Sequence, residues 1–277
     1  MNTRVKHLIQ RTTGLLPRSA RHLLFRAGVV AGGTASFPSV SSTLSYLKRR
    51  GFRPRTIVDV GAYVGNWTRM VKTLFPSARV LMVEPQADKQ GALARVRAEF
   101  APSALLQDAL LGAEDDQPVE FVVMETGSSV LEEQSDHYPR TTVARRTTTL
   151  DRLVDDAGWQ HVDFLKLDVQ GYELEVLRGA SACLPTCEFV LMEVSVVPMN
   201  LGAPTVDEVF AFMTERGFRM LDLCDQHRRH DVLVQVDLLF INVRSSHAPL
   251  FFQDHAEWCA RHEHALGDVL SPATWAG

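Results

Sequence analysis

The sequence predicts an α/β fold built around a mostly parallel β-sheet. Strand-like and helix-like segments alternate along residues 56–107, which is typical of a doubly wound sheet with helices on both faces. Acidic residues lie at the ends of the predicted strands, at the sheet edge where such folds bind their ligands. Hydrophobic residues make up 45% of the 277-residue chain, which is enough to form a packed core.

The alternating region contains short β-branched or apolar runs that predict buried strands, each followed by a longer segment that predicts a helix. A helix at 41–50, ended by Gly51, precedes this region. The predicted strands are 56–60, 79–83 and 104–107, and the predicted helices are 66–75 and 87–100.

An insertion then interrupts the alternation. Two strands, at 118–124 and 141–149, flank a loop that contains Gly127-Ser128-Ser129, and they predict an inserted β-hairpin. The alternation resumes after this hairpin and ends in an antiparallel pair of strands. The elements predicted there are strands at 162–167, 189–194, 219–223 and 233–243 and helices at 174–182 and 206–216.

Charge divides the chain into a basic N-terminal arm and an acidic remainder. Residues 1–58 contain eleven Lys and Arg residues and no acidic residue, although the whole chain has a net charge of −4. The arm has two interpretations, a solvated basic segment or a surface for weak contact with an anionic membrane. We expect a basic helical arm at 1–50, a ligand-binding domain at 51–245 and a helical C-terminal tail at 246–277.

Four cysteines without a Cys-x-x-Cys pair predict a reduced, cytoplasmic protein, which is membrane-peripheral if the arm binds a membrane. No apolar run reaches the roughly 18–20 residues that a membrane-spanning helix needs. The sequence predicts no metal-ligand set and no nucleic-acid partner, and it is compatible with a homo-oligomer.

A glycine loop between the first predicted strand and its helix carries the strongest ligand-binding signal. It has the form Asp59-x-Gly61-x-x-x-Gly65, and its glycines allow the backbone to bend and approach a ligand closely. Dinucleotide loops have the different spacing G-x-G-x-x-G, which places a pyrophosphate on the helix N-terminus. An acid ahead of the glycines favours a cationic ligand such as a sulfonium. The alternative is an ordinary strand-to-helix turn with structural glycines.

Two further acids lie at the ends of the next two predicted strands. Glu84 is placed to accept hydrogen bonds from ribose hydroxyls, and Asp108 is placed to accept one from an adenine amino group. Together with Asp59, they put acids at three successive strand ends. This arrangement predicts the binding of an adenosine-type cofactor.

A second group of charged residues lies in the later strands. Lys166 and Asp168 are two residues apart, so they share one face of a strand, and Asp168 lies at its tip. Glu193 lies within the apolar run 191–194, where an acid needs a partner or a role. These side chains are expected on the rim that binds the cofactor.

The combined motifs resemble the FkbM family of methyltransferases. The most specific match is Leu-Lys-Leu-Asp-Val-Gln-Gly-Tyr-Glu at 165–173, which continues to residue 180. The resemblance covers about residues 55–243 and leaves out the basic arm and the tail. The other matching segments are 58–66, 83–85, 149–151 and 192–194.

The resemblance implies a Rossmann-like class I methyltransferase fold, with a mostly parallel seven-stranded sheet and the inserted β-hairpin. It also implies S-adenosyl-L-methionine as the donor of a methyl group to an acceptor hydroxyl, on a sugar, a glycoside or a related natural product. The residues expected to bind the cofactor are Asp59, Gly61, Tyr63, Gly65, Asn66, Glu84, Pro85, Asp108, Ala109 and Asp168.

An alcohol must lose its proton when it accepts a methyl group, so a general base is expected beside it. Asp168 is the first candidate by position and Glu193 is the second, whereas Lys166 is expected to hold a carboxylate or the acceptor oxygen. His137, in the inserted segment, is a weaker candidate. The hydroxyls of Ser128 and neighbouring residues are expected to cover the cofactor or the acceptor.

Two other functions compete with methyl transfer. A nicotinamide-dependent oxidoreductase also has a Rossmann-like sheet, but it should carry the G-x-G-x-x-G spacing that this chain lacks. A non-catalytic membrane-surface protein would use the basic arm alone, and the acids at the strand ends argue against it.

Overall fold

The computed structural model describes residues 39–124, 128–131 and 140–251. The expectations for residues 1–38, for Gly127 and His137, and for the tail beyond residue 251 lie outside this part of the chain. The described strands form one seven-stranded sheet and one three-stranded sheet.

The strands and helices are numbered in chain order. The strands are β1 (Thr56–Val60), β2 (Arg79–Val83), β3 (Ala104–Gln107), β4 (Leu110–Leu111), β5 (Pro118–Val123), β6 (Thr141–Thr148), β7 (Phe164–Leu167), β8 (Phe189–Ser195), β9 (Phe218–Arg229) and β10 (Val232–Asn242). The helices are α1 (Val40–Arg49), α2 (Asn66–Leu74), α3 (Gln90–Glu99), α4 (Leu150–Asp156), α5 (Glu173–Arg178) and α6 (Val206–Glu215), with a 3₁₀ turn at Leu184–Thr186.

The main sheet has the strand order β3-β2-β1-β7-β8-β10-β9. The first five strands in this order are parallel, whereas β10 is antiparallel to both of its neighbours. The chain runs outward from β1 to β3 and then returns to the other side of β1 with β7. Such a reversal opens a crevice at the carboxyl ends of β1 and β7, where open α/β sheets bind ligands. The predicted mostly parallel, seven-stranded sheet is confirmed.

The inserted hairpin is a separate small sheet. Strands β5 and β6 are antiparallel, as predicted, and β6 also pairs in parallel with β4. The two-residue strand β4 was not predicted, because two leucines are too short a run to indicate a strand. Its residues Leu110, Leu111 and Phe121 line the cavity at this crevice, so the small sheet adjoins it.

The central strands form because they are apolar on both faces. All residues of β1 and β7 are buried, as expected for strands that helices cover on each side. Alternate residues enter different layers: Val58 and Leu165 pack in one apolar cluster, and Ile57 and Phe164 pack in the other. Burial of each such side chain stabilises the fold by about 1.5–3 kcal/mol.

The end of one helix differs from the prediction because of side chain–backbone hydrogen bonds. The helix predicted at 174–182 ends at Arg178, since the backbone N–H groups of Ala182 and Cys183 donate to the Asp151 carboxylate, each at 2.8 Å. Asp151 itself belongs to α4, a short helix that was not predicted. The Thr149 hydroxyl caps α4 by accepting a bond from the Arg152 N–H at 3.2 Å. No helix of the described residues has the length and apolar character needed to cross a membrane.

Candidate active site

A cavity of about 270 Å³ lies at the carboxyl ends of the parallel strands. Its walls come from the ends of β1, β2 and β8, from the segment that follows β7 and from the small inserted sheet, so it occupies the crevice that the strand order creates. The sequence-predicted site residues that line it are Gly61, Tyr63, Glu84, Pro85, Ala109, Ser128, Asp168 and Glu193.

Glu84 is a buried carboxylate in the wall of this cavity. One of its oxygens accepts a hydrogen bond from the Tyr63 N–H at 2.8 Å, and the other accepts one from the Gln86 N–H at 3.0 Å. Burial raises the pKa of the Glu84 carboxyl above its usual value, and these two bonds oppose the shift. Each carboxylate oxygen has a second lone pair, so Glu84 can still accept bonds from a ligand.

The two glycines of the loop after β1 allow close packing. Gly61 has a φ of +72°, and a Cβ atom there would lie 1.9 Å from the backbone oxygen of Asp168. Gly65 has a φ of +80° at the start of α2, where a Cβ would lie 2.7 Å from Val96. Gly61 therefore brings the loop against the end of β7, whereas Gly65 packs against α3 and does not line the cavity.

Asp59 lies behind the cavity and contacts protein groups. Its side chain is fully buried, accepts a hydrogen bond from the Thr68 hydroxyl at 2.6 Å, and lies 3.2 Å from the Lys166 ammonium. The expected direct contact between Asp59 and the cofactor is therefore not supported by its position. The register of β1 and β7 explains the difference, because it pairs Asp59 with Lys166 and turns the carboxylate toward that ammonium.

Lys166 connects the glycine loop to two carboxylates. Its ammonium donates to the Gly61 oxygen at 2.8 Å and to the Val60 oxygen at 3.2 Å, and it lies 3.5 Å from Asp168. Burial acts to lower the pKa of Lys166, but the carboxylates of Asp59 and Asp168 outweigh it, so the pKa lies above its ordinary value. Lys166 is thus a buried cation that holds the end of β1 in place.

Asp168 lies at the tip of β7, as predicted, and its side chain is 40% exposed. Its carboxylate accepts a hydrogen bond from the Gln170 amide at 3.0 Å. The same Gln170 amide donates to Glu193 at 2.7 Å, so one side chain links the two carboxylates at the rim. This places the two predicted base candidates on the same part of the cavity wall.

Glu193 is the more enclosed of these two acids, with a side chain that is 14% exposed. Burial, followed by the nearby carboxylates of Asp168 and Asp237, raises the pKa of Glu193 well above its usual range. A carboxyl group with a raised pKa is a poorer proton acceptor at neutral pH, because more of it is already protonated. Enclosure and a raised pKa both count against Glu193 as a proton acceptor, whereas the Asp168 side chain is 40% exposed.

A second cavity, of about 230 Å³, adjoins the first. The two share Gly61, Tyr63, Asp168 and Glu193 in their walls, and the second one continues toward β9 and β10. Besides the four shared residues, two of its lining residues were expected to contact the cofactor or the reacting groups, and others were not foreseen. The former are Asn66 and Lys166, and the latter include Trp67, His227 and Asp237.

Asp108 is outside both cavities. Its side chain is 47% exposed and pairs with Arg145 of β6, whereas its neighbour Ala109 lines the first cavity. The predicted bond from an adenine amino group to the Asp108 carboxylate is therefore not supported by this arrangement. The ion pair forms because the inserted hairpin, whose position the sequence does not indicate, brings Arg145 to the end of β3.

The inserted segment contacts the site where it is described. Ser128 lines the first cavity, and the Ser129 hydroxyl donates to the Gln170 backbone oxygen at 3.0 Å. Ser129 also pairs with Val122 of β5, which fixes this segment to the small sheet.

Sequence reasoning missed the groups that surround Glu193. Gln170 and Gln235 each donate a hydrogen bond to it at 2.7 Å, and His227 lies 3.6 Å away. Asp237 is directly opposite Glu193 in the sheet. It was detectable by the criterion that identified Glu193, because it too is an acid within an apolar strand.

The chain is similar to several methyltransferases. The methyltransferase FkbM domain model matches residues 59–220, more than half of the chain. Methyltransferase sdnD of Sordaria araneosa is 29% identical over 153 residues, and the match covers 44% of this chain and 59% of that protein. The chain therefore spans less than two thirds of the length of this curated relative.

The chain is also similar to solved structures of methyltransferases. Methyltransferase FkbM from Methylobacillus flagellatus KT has a TM-score of 0.48 and 17% identity, over 70% of this chain and 47% of that chain. A putative RNA methyltransferase from Pyrococcus horikoshii has a TM-score of 0.44 and 15% identity, over 89% of this chain and 100% of that chain.

The first cavity fits an adenosine-containing ligand such as S-adenosylmethionine. Its lining includes the Glu84 carboxylate and the Gln86 side-chain oxygen, which is buried without a hydrogen-bond partner among the described residues. These acceptors suit hydroxyl and amino donors, and the wall beside them is apolar, as a purine requires. The apolar residues of that wall include Val83, Leu110, Leu111 and Phe121. The chain belongs to the FkbM family of methyltransferases, whose methyl donor is S-adenosylmethionine.

Proposed function

We propose that this protein is an S-adenosylmethionine-dependent O-methyltransferase that acts on a hydroxyl of a sugar, a glycoside or a related natural product. The observation that carries the proposal is the junction of two cavities at Asp168. One cavity has the acceptors that suit an adenosine, and the other offers room for a second substrate. A donor in the first cavity and an acceptor in the second would meet at this carboxylate.

The first role of the chain is to hold the donor. When bound, S-adenosylmethionine supplies an electrophilic methyl group on its sulfonium sulfur. The buried Glu84 carboxylate accepts bonds from ribose hydroxyls, and its two backbone partners keep it aimed at the cavity. Alignment of this kind contributes as much as about 7–11 kcal/mol to the rate of a displacement between two bound molecules.

The second role is to remove the acceptor proton. Asp168 is exposed enough to contact a substrate, and the amide of Gln170 fixes the direction of its carboxylate. A general base in this position accelerates the reaction by about 10²–10⁴-fold. Lys166 acts as a positioning residue, since it holds Asp168 and the loop carbonyl groups and lies away from the first cavity.

The second cavity supports a hydroxyl-bearing acceptor. Its wall combines hydrogen-bonding groups, such as Asn66 and His227, with the ring of Trp67 and other apolar surface. A sugar has both hydroxyl groups and apolar C–H faces, so it matches such a mixed wall. The nicotinamide alternative is not favoured, because the chain has the family's motifs and lacks the dinucleotide spacing.

The localisation and the role of the arm remain predictions. We expect a cytoplasmic enzyme whose basic segment 1–58 gives weak contact with anionic membranes, and liposome binding by the full chain tests this expectation.

The experiment is an assay of S-adenosylhomocysteine formation with a panel of sugars, glycosides and polyketide alcohols, with mass spectrometry of the products. We expect methyl ethers, and we expect Asp168→Asn to lower turnover by about 10²-fold or more with little change in donor affinity. Asp156→Asn, which alters an exposed acid outside both cavities, is the control. Methylation of nitrogen or carbon atoms, or full activity in Asp168→Asn, would contradict the proposal.

A further inference from the structure

We propose that Glu193, His227 and Asp237 form a binding site for a divalent cation on the acceptor side of the active site. The cation site is argued from the geometry and the charges of these residues. Only its role in the reaction rests on the proposed function.

The three residues converge from three adjacent strands. Glu193 is on β8, Asp237 is on β10 and His227 is on β9. Each offers one ligand atom, and these atoms all lie within 4.8 Å of one another. Because metal–oxygen and metal–nitrogen bonds are about 2.0–2.2 Å long, the three ligand atoms would draw closer together around a bound cation.

The charges in this cluster call for a cation. Glu193 and Asp237 are directly opposite each other on antiparallel strands, an arrangement in which like charges destabilise a sheet. The buried ammonium of Lys166 relieves this pair only in part, because its direct partners are Asp59, Asp168 and two backbone oxygens. A bound divalent cation would stabilise both groups as carboxylates and neutralise their charge.

The ligand atoms are oriented in advance by neighbouring amides. Gln170 and Gln235 both donate to one oxygen of Glu193, Oε1, at 2.7 Å. The other oxygen, Oε2, faces His227 at 3.6 Å and is the one left for a cation. Hydrogen bonds from second-layer residues hold metal ligands in this way and raise the affinity of the site.

The site has room for more than its protein ligands. All three residues line the second cavity, and His227, with a side chain that is 46% exposed, lies on its more open side. Three protein ligands leave coordination positions for water or for a substrate oxygen, as in catalytic rather than structural metal sites. Asp168 lines the same cavity, so a bound acceptor would lie between the cation and this base.

The donor set selects the type of cation. Carboxylates suit Mg²⁺, Ca²⁺ and Mn²⁺, whereas an imidazole suits Zn²⁺ and other transition metals. A site with two carboxylates and one imidazole therefore favours Mn²⁺ or Zn²⁺ over Ca²⁺. We choose Mn²⁺ as the probe, because its paramagnetism reports binding directly.

The cation would activate the acceptor hydroxyl. Coordination lowers the pKa of the hydroxyl, and its proton passes to Asp168. The oxygen lone pair then forms the bond to the methyl carbon while the carbon–sulfur bond breaks and its electron pair stays on sulfur. The products are a methyl ether, S-adenosylhomocysteine and one proton, so the step needs no further reactant.

The test measures Mn²⁺ binding to the full chain after EDTA has removed bound metal. Electron paramagnetic resonance and calorimetry detect the binding, and no substrate is present. We expect one Mn²⁺ per chain, with affinity lowered by about tenfold or more in His227→Gln and in Asp237→Asn. Asp225→Asn is the matched control. Its carboxylate is opposite Asp237 on β9, so it shares the same field, but it is not part of the converging set.

Absence of Mn²⁺ binding by the wild-type chain would overturn the proposal, and so would equal weakening in Asp225→Asn. The exposed side chain of His227 can be replaced without loss of the fold, and an unchanged melting temperature of His227→Gln checks this. Mn²⁺ binding without methyl transfer to any acceptor would leave the site standing and contradict the proposed function. Methyl transfer that is insensitive to EDTA, in a chain that binds no Mn²⁺, would contradict the cation site and leave the proposed function standing.

Discussion

Replacement of Glu84 by Gln tests the donor-binding carboxylate without changing its shape. Both oxygens of Glu84 accept backbone hydrogen bonds, so the amide group of Gln would place an N–H donor against the N–H of Tyr63 or Gln86. A buried donor left without an acceptor costs about 1–3 kcal/mol. Burial also raises the pKa of Glu84, which means that the charged form pays for desolvation, and Gln recovers part of this loss. We therefore expect the free energy of unfolding to fall by about 1–2 kcal/mol.

The Glu84→Gln substitution should also weaken the binding of the ligand. Hydrogen bonds to a charged acceptor contribute about 1.5–3 kcal/mol and neutral ones about 0.5–1.5 kcal/mol, so each ribose hydroxyl loses about 1 kcal/mol in Glu84→Gln. For two hydroxyls, the Kd of S-adenosylhomocysteine should rise by about thirtyfold. Calorimetric titration measures this change. Glu120→Gln, at an exposed position of β5, is the control and should bind as the wild type does. Wild-type affinity in Glu84→Gln would show that this carboxylate does not face the ribose.

Three further predictions concern the loop, a buried acid and the arm. Gly61→Ala should lower the melting temperature and the donor affinity together, because its Cβ would lie 1.9 Å from the Asp168 oxygen; scanning calorimetry with and without ligand measures both. Burial, followed by a smaller effect of Asp168, raises the pKa of Glu173 from its ordinary value of 4.5 to about 7. Between pH 4.5 and about 7, Glu173 therefore keeps a proton in the folded state that it has lost in the unfolded state. The free energy of unfolding falls by about 3 kcal/mol as pH rises through this window. Glu173→Gln should flatten this slope in urea unfolding on either side of the window, and an unchanged slope would contradict the argument. A chain without residues 1–37 should keep its donor affinity in calorimetry, and failure to fold would place the arm in the core.

The parallel half of the fold was predictable because its signals are local. A strand buried on both faces, such as β1, is apolar at every position apart from Thr56 and the acid that pairs with Lys166. The outer strand β9 was predicted at 219–223 only, yet it continues to Arg229. Its last residues are polar and exposed, and they are held by pairing with β10 across a turn at His230 and Asp231, both with positive φ. Strand pairing between polar, exposed residues produces no apolar run, so the sequence does not predict this part of the strand.

The site residues divide in the same way, into those that local patterns predict and those whose positions depend on strand pairing. Glu84 and Asp168 follow directly from the ends of their strands, so the sequence placed both at the cavity. The inward direction of Asp59 depends on the register between β1 and β7, which are separated by about a hundred residues of chain. The meeting of Glu193 with Asp237 depends likewise on the register of β8 and β10. Pairing between distant strands is set by the whole sheet, and no local pattern reveals it.

The central claim is that a donor bound at Glu84 presents its reactive end to Asp168 at the junction of the two cavities. A crystal structure of the complex with S-adenosylhomocysteine tests it most directly. We predict that the ribose hydroxyls lie within hydrogen-bond distance of the Glu84 carboxylate, that the adenine packs against the apolar wall near Phe121, and that the sulfur faces the second cavity beside Asp168. A ligand bound elsewhere, or one whose sulfur points away from Asp168, would contradict the account.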